Sequence, residues 1–484
     1  MRRNPYIGPR AFRTGEKLPA REREEHELTN LLIAERVALL HAPSGAGKTS
    51  LIQAGLIPLL GAERLGERGF LPTSPLRIKT PVPAGRTVHN RYVYSVALDL
   101  LRDSNPVELE SLTLPQVVAR AAAQNGAGIP VLIFDQFEEI LTVNPADRDG
   151  QREFFDELGA VLADGELWAL FAMREEYMGG LDRYVHQFPD HLRTTYRLDY
   201  LDTEAARVAL QLPAKECGVV FTDAAADDLL RRLSRIRIQR PDNGVEEIEA
   251  PYVVPFQLQV VCRRLWSSVL QQKRTQFTEI EVTDVARHGN IGQALRGYYA
   301  DAVAEVARST GADVRVIREW CEMQLITPQL YRSQTLAGPV SGDADPRQIL
   351  LGLTDAYLLR SDTRAGVTWY ELSHDRLIQP ILDDNRAWRR INLAPWQLVA
   401  GDWRANQRSD LLLSGDELRT AQRHASTVTP TEWEQKFLDE SLRTEQQQHL
   451  AAARAAIPPN LLGTLVLVEL LVITLLILLL WIRS

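Results

Sequence analysis

Cysteine is scarce in this chain: Cys217, Cys262 and Cys321 are the only three in 484 residues, and their spacing fits neither a disulfide framework nor a thiolate metal site. They read as free thiols of a reducing cytosol. A basic surplus is also lacking. The formal net charge of −8 argues against broad electrostatic binding of nucleic acid, and no nucleic-acid partner is expected. The opening "MRRNPYIGPRAF" has two arginines with no apolar core behind them, so no signal peptide is expected. No internal repeat is visible. With 45% hydrophobic and 24% charged residues the chain has an ordinary globular composition, and its length predicts two to four domains.

The most informative stretch is "HAPSGAGKTS", residues 41–50. It ends as a phosphate-binding loop does, on Gly47-Lys48-Thr49 with Gly45 before them, but Ala42 stands where the pattern G-x-x-x-x-G-K-[ST] has its first glycine. The apolar run "RVALL" (36–40) before it predicts a buried strand, and "SLIQAGLIPLL" after it predicts a helix that stops near Pro58. In that setting Pro43, Ser44, Gly45, Ala46, Gly47 and Ser50 cradle phosphates with their backbone. Lys48 reaches the terminal phosphates and the Thr49 hydroxyl ligates Mg²⁺. Alanine at position 42 is tolerable if the chain leaves the strand without positive φ.

Further strands are predicted at Leu76–Thr80, Pro130–Asp135, Leu167–Met173 and Thr195–Leu198, separated by helices. The pattern predicts a doubly wound parallel α/β sheet, whose ligands sit at the carboxyl ends of the strands. This P-loop NTPase core is expected over 1–201. Strand signals then vanish, and a helical lid is expected over 202–289, with "RIQRPDNGVEEIEAP" as a polar loop. Helices followed by short extended runs around "DTRAG" predict a winged-helix domain over 290–390. A helical stem over 391–456 follows, closed by Pro458-Pro459.

"VLIFDQFEEIL" places Asp135 at the end of an apolar strand, about 90 residues after the loop, as a Walker B acid that holds Mg²⁺ opposite Thr49. Gln136 takes the next place, where many such ATPases carry the water-activating glutamate. Glu138 and Glu139 follow; either is placed to act on water, and both also suit the start of a helix as acids stabilised by its dipole. "LFAMREEY" ends a strand on Arg174, which either reaches the terminal phosphate or pairs in solvent with Glu175 or Glu176.

Taken in order, "PYIGPRAF", "AREREEHEL", "APSGAGKTSLIQAGLIP", "VLIFDQFEEIL" and "LFAMREEY" resemble the novel STAND NTPases of prokaryotes, signal-transduction ATPases related to the NACHT and NB-ARC switches. The resemblance spans about Pro5 to Arg443. It implies ATP or ADP as ligand with Mg²⁺, and Arg21 beside the base and ribose pocket. There "PARE" departs from the family's F-G-R-E at Ala20. It also implies that Pro255 packs beside the base, and that His374 of "YELSHDRL" touches the β-phosphate of ADP. From the residues alone, His374 is a histidine at the edge of a short apolar run.

Finally, "LLGTLVLVELLVITLLILLLWI" (461–482) carries one charge in 22 residues. As a helix it would extend about 33 Å, so a transmembrane tail anchor over 457–484 is expected, contacting membrane lipid through 461–482 and leaving the N-terminal domains in the cytoplasm. The combined expectation is a membrane-anchored STAND-type ATPase switch in prokaryotic defence or signalling, homo-oligomeric on activation by an unidentified protein trigger. Alternatives are an AAA-like remodelling ATPase, for which no aromatic-glycine pore segment is present, or a nucleotide-binding scaffold without turnover.

Overall fold

The computed structural model describes residues 3–455 and 469–474, apart from 9, 79–81, 83–84, 127, 143, 145, 240–244, 274–277, 337–344 and 365–366. The chain divides into two units, Met1–Asn385 and Arg386–Ser484.

The first unit is built on six strands: β1 (Val37–Ala42), β2 (Arg64–Leu65), β3 (Arg68–Pro72), β4 (Ile129–Asp135), β5 (Trp168–Arg174) and β6 (Thr195–Arg197). Their order is β2-β3-β4-β5-β1-β6, with β3 to β6 parallel and β2 antiparallel at the edge. The central strands are apolar throughout because both faces are covered. Val37 and Leu39 of β1, Leu132 and Phe134 of β4, and Ala169 and Phe171 of β5 join one core. Ala38 and Leu40, Val131 and Ile133, and Leu170 and Ala172 join the other. This two-residue alternation between two buried faces makes the sheet a middle layer between helices.

The register then fixes the site. Ala42 pairs with Arg174, and Asp135 pairs with Ala172, so the carboxyl ends of β1, β4 and β5 meet at one edge.

Three local expectations are corrected. The strand expected at Leu76–Thr80 lies earlier, at Arg68–Pro72; Leu76 makes only an isolated parallel bridge to Phe134. Pro72 and Pro75 lack the amides a continuous ladder needs. Side chains take two of the later ones: Arg77 N–H donates to Asp99 and Ile78 N–H to Glu139. Lys79 and Thr80 lie outside the described residues.

The helix after the loop passes Pro58 and runs to Ala62. It widens to a π-helix at Leu51–Leu56, where Ile57 N–H bonds to Ile52 O, before its last turn at Ile57–Ala62. A local change of bonding pitch just before a proline absorbs its missing donor without ending the helix. The polar stretch expected as a loop forms an antiparallel hairpin, Arg235–Gln239 with Val245–Glu249; its alternating Ile and charged residues suit strands better than the proline and glycine between them indicated.

Beyond β6 one buried core runs from Leu201 to Ile381 and includes Trp266 and Tyr299. It is made by the helices Thr203–Glu216, Asp223–Ser234, Pro255–Lys273, Ile291–Thr310, Val314–Leu325 and Pro346–Asp355. A three-stranded antiparallel sheet follows, with Val367–Leu372 between Thr335–Leu336 and Leu359–Arg364.

The second unit packs Pro395–Asn406, Gly415–Ala425 and Glu432–Ala455 around Trp396, Trp403, Leu418 and Phe437. The buried Gln397 amide donates to Glu434 at 2.9 Å.

The expected transmembrane helix is overturned: among the described residues no helix is long and apolar enough to cross a membrane. Of the expected span 461–482, only Glu469–Thr474 is described, a helical piece with exposed side chains.

Candidate functional site

The cleft at the carboxyl edge of the sheet is floored by the glycine loop. β1 ends on Ala42, which is fully buried and is not among the positive-φ residues, so the missing first glycine leaves the backbone in an ordinary strand conformation. The chain then turns through Gly45 (φ +80°) and Gly47 (φ +103°), and the helix begins at Lys48. An ideal Cβ on Gly47 would meet nothing within 4 Å; its left-handed φ is what excludes other residues.

The loop is held through two of its carbonyls. The Tyr200 hydroxyl donates to Ser44 O at 3.0 Å, and buried Arg21 donates to Ala46 O at 3.3 Å and Asp199 O at 2.7 Å. The loop presents Ser44 to Ser50 to the cleft, at the positive end of a helix. Ala20, where the resemblance expects glycine, adopts φ +63°, so the family residue suits the backbone better than this one does.

Across β5 from the loop, Thr49 Oγ1 donates to Asp135 Oδ2 at 2.8 Å. Gln136 next turns into the left-handed region (φ +54°), and Phe137 N–H bonds to Ala172 O at 2.9 Å. This hook separates the two glutamates. Buried Glu138 turns to the cleft and pairs with Arg174: Oε1 lies 3.4 Å from Nε, and Oε2 accepts the Arg174 backbone N–H at 3.3 Å. Glu139 turns away and binds the Arg77 guanidinium, which also bonds Gln136, while its Oε2 accepts Ile78 N–H at 3.1 Å. Arg174 is buried, lines the cleft, and its Nη1 has no hydrogen-bond partner. Lys48 donates to Ala42 O at 3.3 Å; burial lowers its pKa, and the charge of Glu138 acts against that.

The walls are largely apolar. Phe12, Leu18, Leu201, Pro255 and Phe256 line the cleft, and Phe12 N–H donates to Ser50 Oγ at 3.2 Å. Of the residues singled out in the sequence, Arg21, Ser44 to Ser50, Asp135, Glu138, Arg174 and Pro255 come together here. Pro43 stands behind the loop, its carbonyl accepting Ala46 N–H. Glu139 and His374 are not among the lining residues; the His374 Nδ1 accepts Arg376 N–H at 3.1 Å. Sequence reasoning missed Arg77 and Tyr357. A lone arginine in the apolar run "LRIKT" was a signal for the first. Tyr357 had none.

The cleft fits a nucleotide and a hard divalent cation. Thr49 and Asp135 supply a hydroxyl and a carboxylate, the oxygen donors Mg²⁺ takes. Left-handed Gly47 leaves open space beside the helix terminus, and Arg174, which lines the same cleft, keeps a buried Nη1 without a hydrogen-bond partner. A glycine loop between a buried parallel strand and a helix, facing a strand-terminal aspartate across the intervening β5, defines a P-loop nucleoside triphosphatase. The chain belongs to the Novel STAND NTPase 1 family, whose sequence pattern matches residues 5–398. It is therefore an ATPase of the P-loop class and binds nucleotide.

No curated protein matches the chain. Similar solved structures include the Walker-type ATPase Paby2304 of Pyrococcus abyssi, 14% identical over 77% of this chain and 98% of that one, at a TM-score of 0.41. The ORC2 protein of Aeropyrum pernix, in ADPNP–ADP complexes, is 12% identical over 77% of this chain and 96% of that one, at 0.42.

Proposed function

We propose that the chain is a nucleotide-controlled switch in which ATP is bound by Gly45 to Thr49, hydrolysed with Glu138 as the general base, and stabilised at its terminal phosphate by Arg174. The observation that carries this reading is the buried Arg174 Nη1 without a partner, in the same cleft as Lys48 and a glutamate that Arg174 itself orients. A buried guanidinium donor left unpaired is costly in a resting protein and is repaid by an anion.

Mg²⁺, held by Thr49 and Asp135, would supply charge neutralisation between the terminal phosphates. Glu138 takes the proton of the attacking water, and Arg174 meets charge that grows at the transferred group. Arg21 holds the Ala46 carbonyl of the loop at the edge of the cleft, and Pro255 and Phe256 offer an apolar wall for the base. Glu139, engaged by Arg77, serves the architecture of the strand end. Membership of a signal-transduction ATPase family supports homo-oligomerisation in the ATP state and a protein trigger.

The test is phosphate release and nucleotide binding by the purified full chain beside Lys48→Ala. The parent should hydrolyse ATP and the variant should bind none, because among the described residues Lys48 is the only lysine lining the cleft. Tight ATP binding by Lys48→Ala would refute the site.

A further inference from the structure

Away from the nucleotide cleft, a cluster of titratable side chains is assembled from separate segments. His89 lies in the loop before the helix Arg91–Leu100, and Glu153 and Glu157 stand on the helix Arg148–Ala163. None of the three lines the cleft. Their spacing of four residues puts both carboxylates on one face of their helix. Each turns the same oxygen to the imidazole: His89 Nε2 lies 2.7 Å from Glu157 Oε1 and 4.0 Å from Glu153 Oε1. The ligand atoms of the three side chains all lie within 4.8 Å of one another.

The second oxygen of each carboxylate is held by an amide outside the cluster. Glu157 Oε2 accepts the N–H of Leu114, the first residue of the helix Leu114–Asn125, at 2.5 Å. Glu153 Oε2 accepts the side-chain amide of Asn90 at 2.9 Å. Asn90 is buried and fixed in turn: its Oδ1 accepts Tyr92 N–H at 2.9 Å, and its Nδ2 also reaches Gly150 O at 2.8 Å. The backbone of His89 is tied as well, its N–H donating to Glu110 O at 2.7 Å. Each carboxylate is thus oriented from outside so that its remaining oxygen converges on one nitrogen. Outer hydrogen bonds aim the ligands of a metal in this way.

Charge points in the same direction. Among the described residues neither glutamate is paired with a lysine or arginine; the ion pairs of both are with His89. Two carboxylates this close repel each other, and one imidazole offsets at most one of the two charges. A divalent cation offsets both.

We propose that His89, Glu153 and Glu157 form a site for a divalent transition-metal ion, zinc by the donor set. One imidazole nitrogen with two carboxylate oxygens suits zinc, whereas magnesium and calcium favour oxygen alone. In a tetrahedral site with bonds of about 2.0–2.1 Å, ligand atoms stand about 3.3 Å apart. The two separations from Nε2 fall on either side of that value, so small side-chain rotations bring both oxygens in, and water takes the fourth position. The Nε2 proton given to Glu157 leaves to solvent as the metal replaces it. Side-chain exposures of 28% for His89 and 46% for Glu153 leave the site open to an ion from solution. The metal joins the start of one helix to the middle of another, and both carry residues of one core, Tyr92 and Phe154, against the sheet. It is a staple for that helical layer.

The experiment uses the full chain, stripped with EDTA, moved to chelator-free buffer without nucleotide, and compared with His89→Ala and Glu153→Gln. Competition with a chromophoric chelator measures Zn²⁺ affinity, and Co²⁺ serves for its absorption spectrum. The parent should bind Zn²⁺ and gain a few degrees in thermal midpoint at saturation. Its Co²⁺ form should show visible bands without the intense near-ultraviolet band of a thiolate ligand, which separates this site from the cysteines. Both variants should bind at least about tenfold more weakly, since even an outer hydrogen-bond partner is worth that much, and should lose the rise in midpoint. Circular dichroism in EDTA reports folding; if His89→Ala fails to fold, Glu153→Gln, with its side chain nearly half exposed, decides. No binding by the parent, a thiolate band in its Co²⁺ form, or unchanged affinity in a folded variant overturns the proposal and leaves His89 and Glu157 an ordinary ion pair.

Discussion

Glu138 and Arg174 hold each other in the cleft twice over, through the side-chain pair at 3.4 Å and the backbone N–H of Arg174 at 3.3 Å. The carboxylate is therefore fixed relative to the end of β5, and it is the only one of the two adjacent glutamates that lines the cleft. Glu138→Gln keeps the shape and one acceptor but removes the proposed base. Turnover should fall by roughly 10²–10⁴-fold with ATP affinity nearly unchanged. Phosphate release together with analogue binding measures both, and parent-like turnover would assign water activation elsewhere.

Arg174→Ala should act on a different quantity. Its Nη1 has no hydrogen-bond partner, and in the proposed mechanism this guanidinium meets charge that develops at the terminal phosphate. Turnover should fall by about 10²–10³-fold, the usual loss for one such donor, and ADP affinity should hold because ADP lacks that group. Equal losses of ADP and ATP affinity would show that Arg174 serves ground-state binding or local structure instead.

Glu139→Gln should be a stability variant. Glu139 is buried, binds the Arg77 guanidinium, and accepts Ile78 N–H at 3.1 Å. Replacing it leaves Arg77 without its countercharge in a partly buried position, at roughly 1–3 kcal/mol. The thermal midpoint should drop by several degrees, with turnover per folded molecule close to the parent's. A large loss of turnover with an unchanged midpoint would return Glu139 to the chemistry.

What could be read from the sequence follows from how local each signal is. The loop, the strand-ending Asp135 and the strand-ending Arg174 were legible because each is a few residues on one strand end, and the parallel register then brings the ends together. The choice between Glu138 and Glu139 was not legible, since it turns on the left-handed φ of Gln136 and on Arg77, 62 residues away from Glu139. Tyr357 was hidden for the same reason: only the packing of a distant helix end brings it to the cleft that Thr49 also lines. The apolar run at 461–482 was read as a span from composition alone, and among the described residues no helix is long and apolar enough to cross a membrane.

Gly47→Ala separates the backbone demands of the loop from its contacts. Gly47 is at φ +103°, and an ideal Cβ there would meet no atom within 4 Å, so crowding within the protein is not the obstacle. The cost is conformational, about 1–2 kcal/mol for an L-residue held left-handed. That is small against the stability of a domain, and the purified variant should remain folded with a modestly lower thermal midpoint. Relaxing the strain, however, means rotating the peptide that begins the helix at Lys48, which moves the Lys48 and Thr49 amides away from the phosphates. ADP and ATP should therefore both bind at least tenfold more weakly, unlike the Glu138 and Arg174 variants, which retain ADP. Parent-like binding of both nucleotides by a folded Gly47→Ala protein would show that the left-handed turn is not what shapes the phosphate cradle.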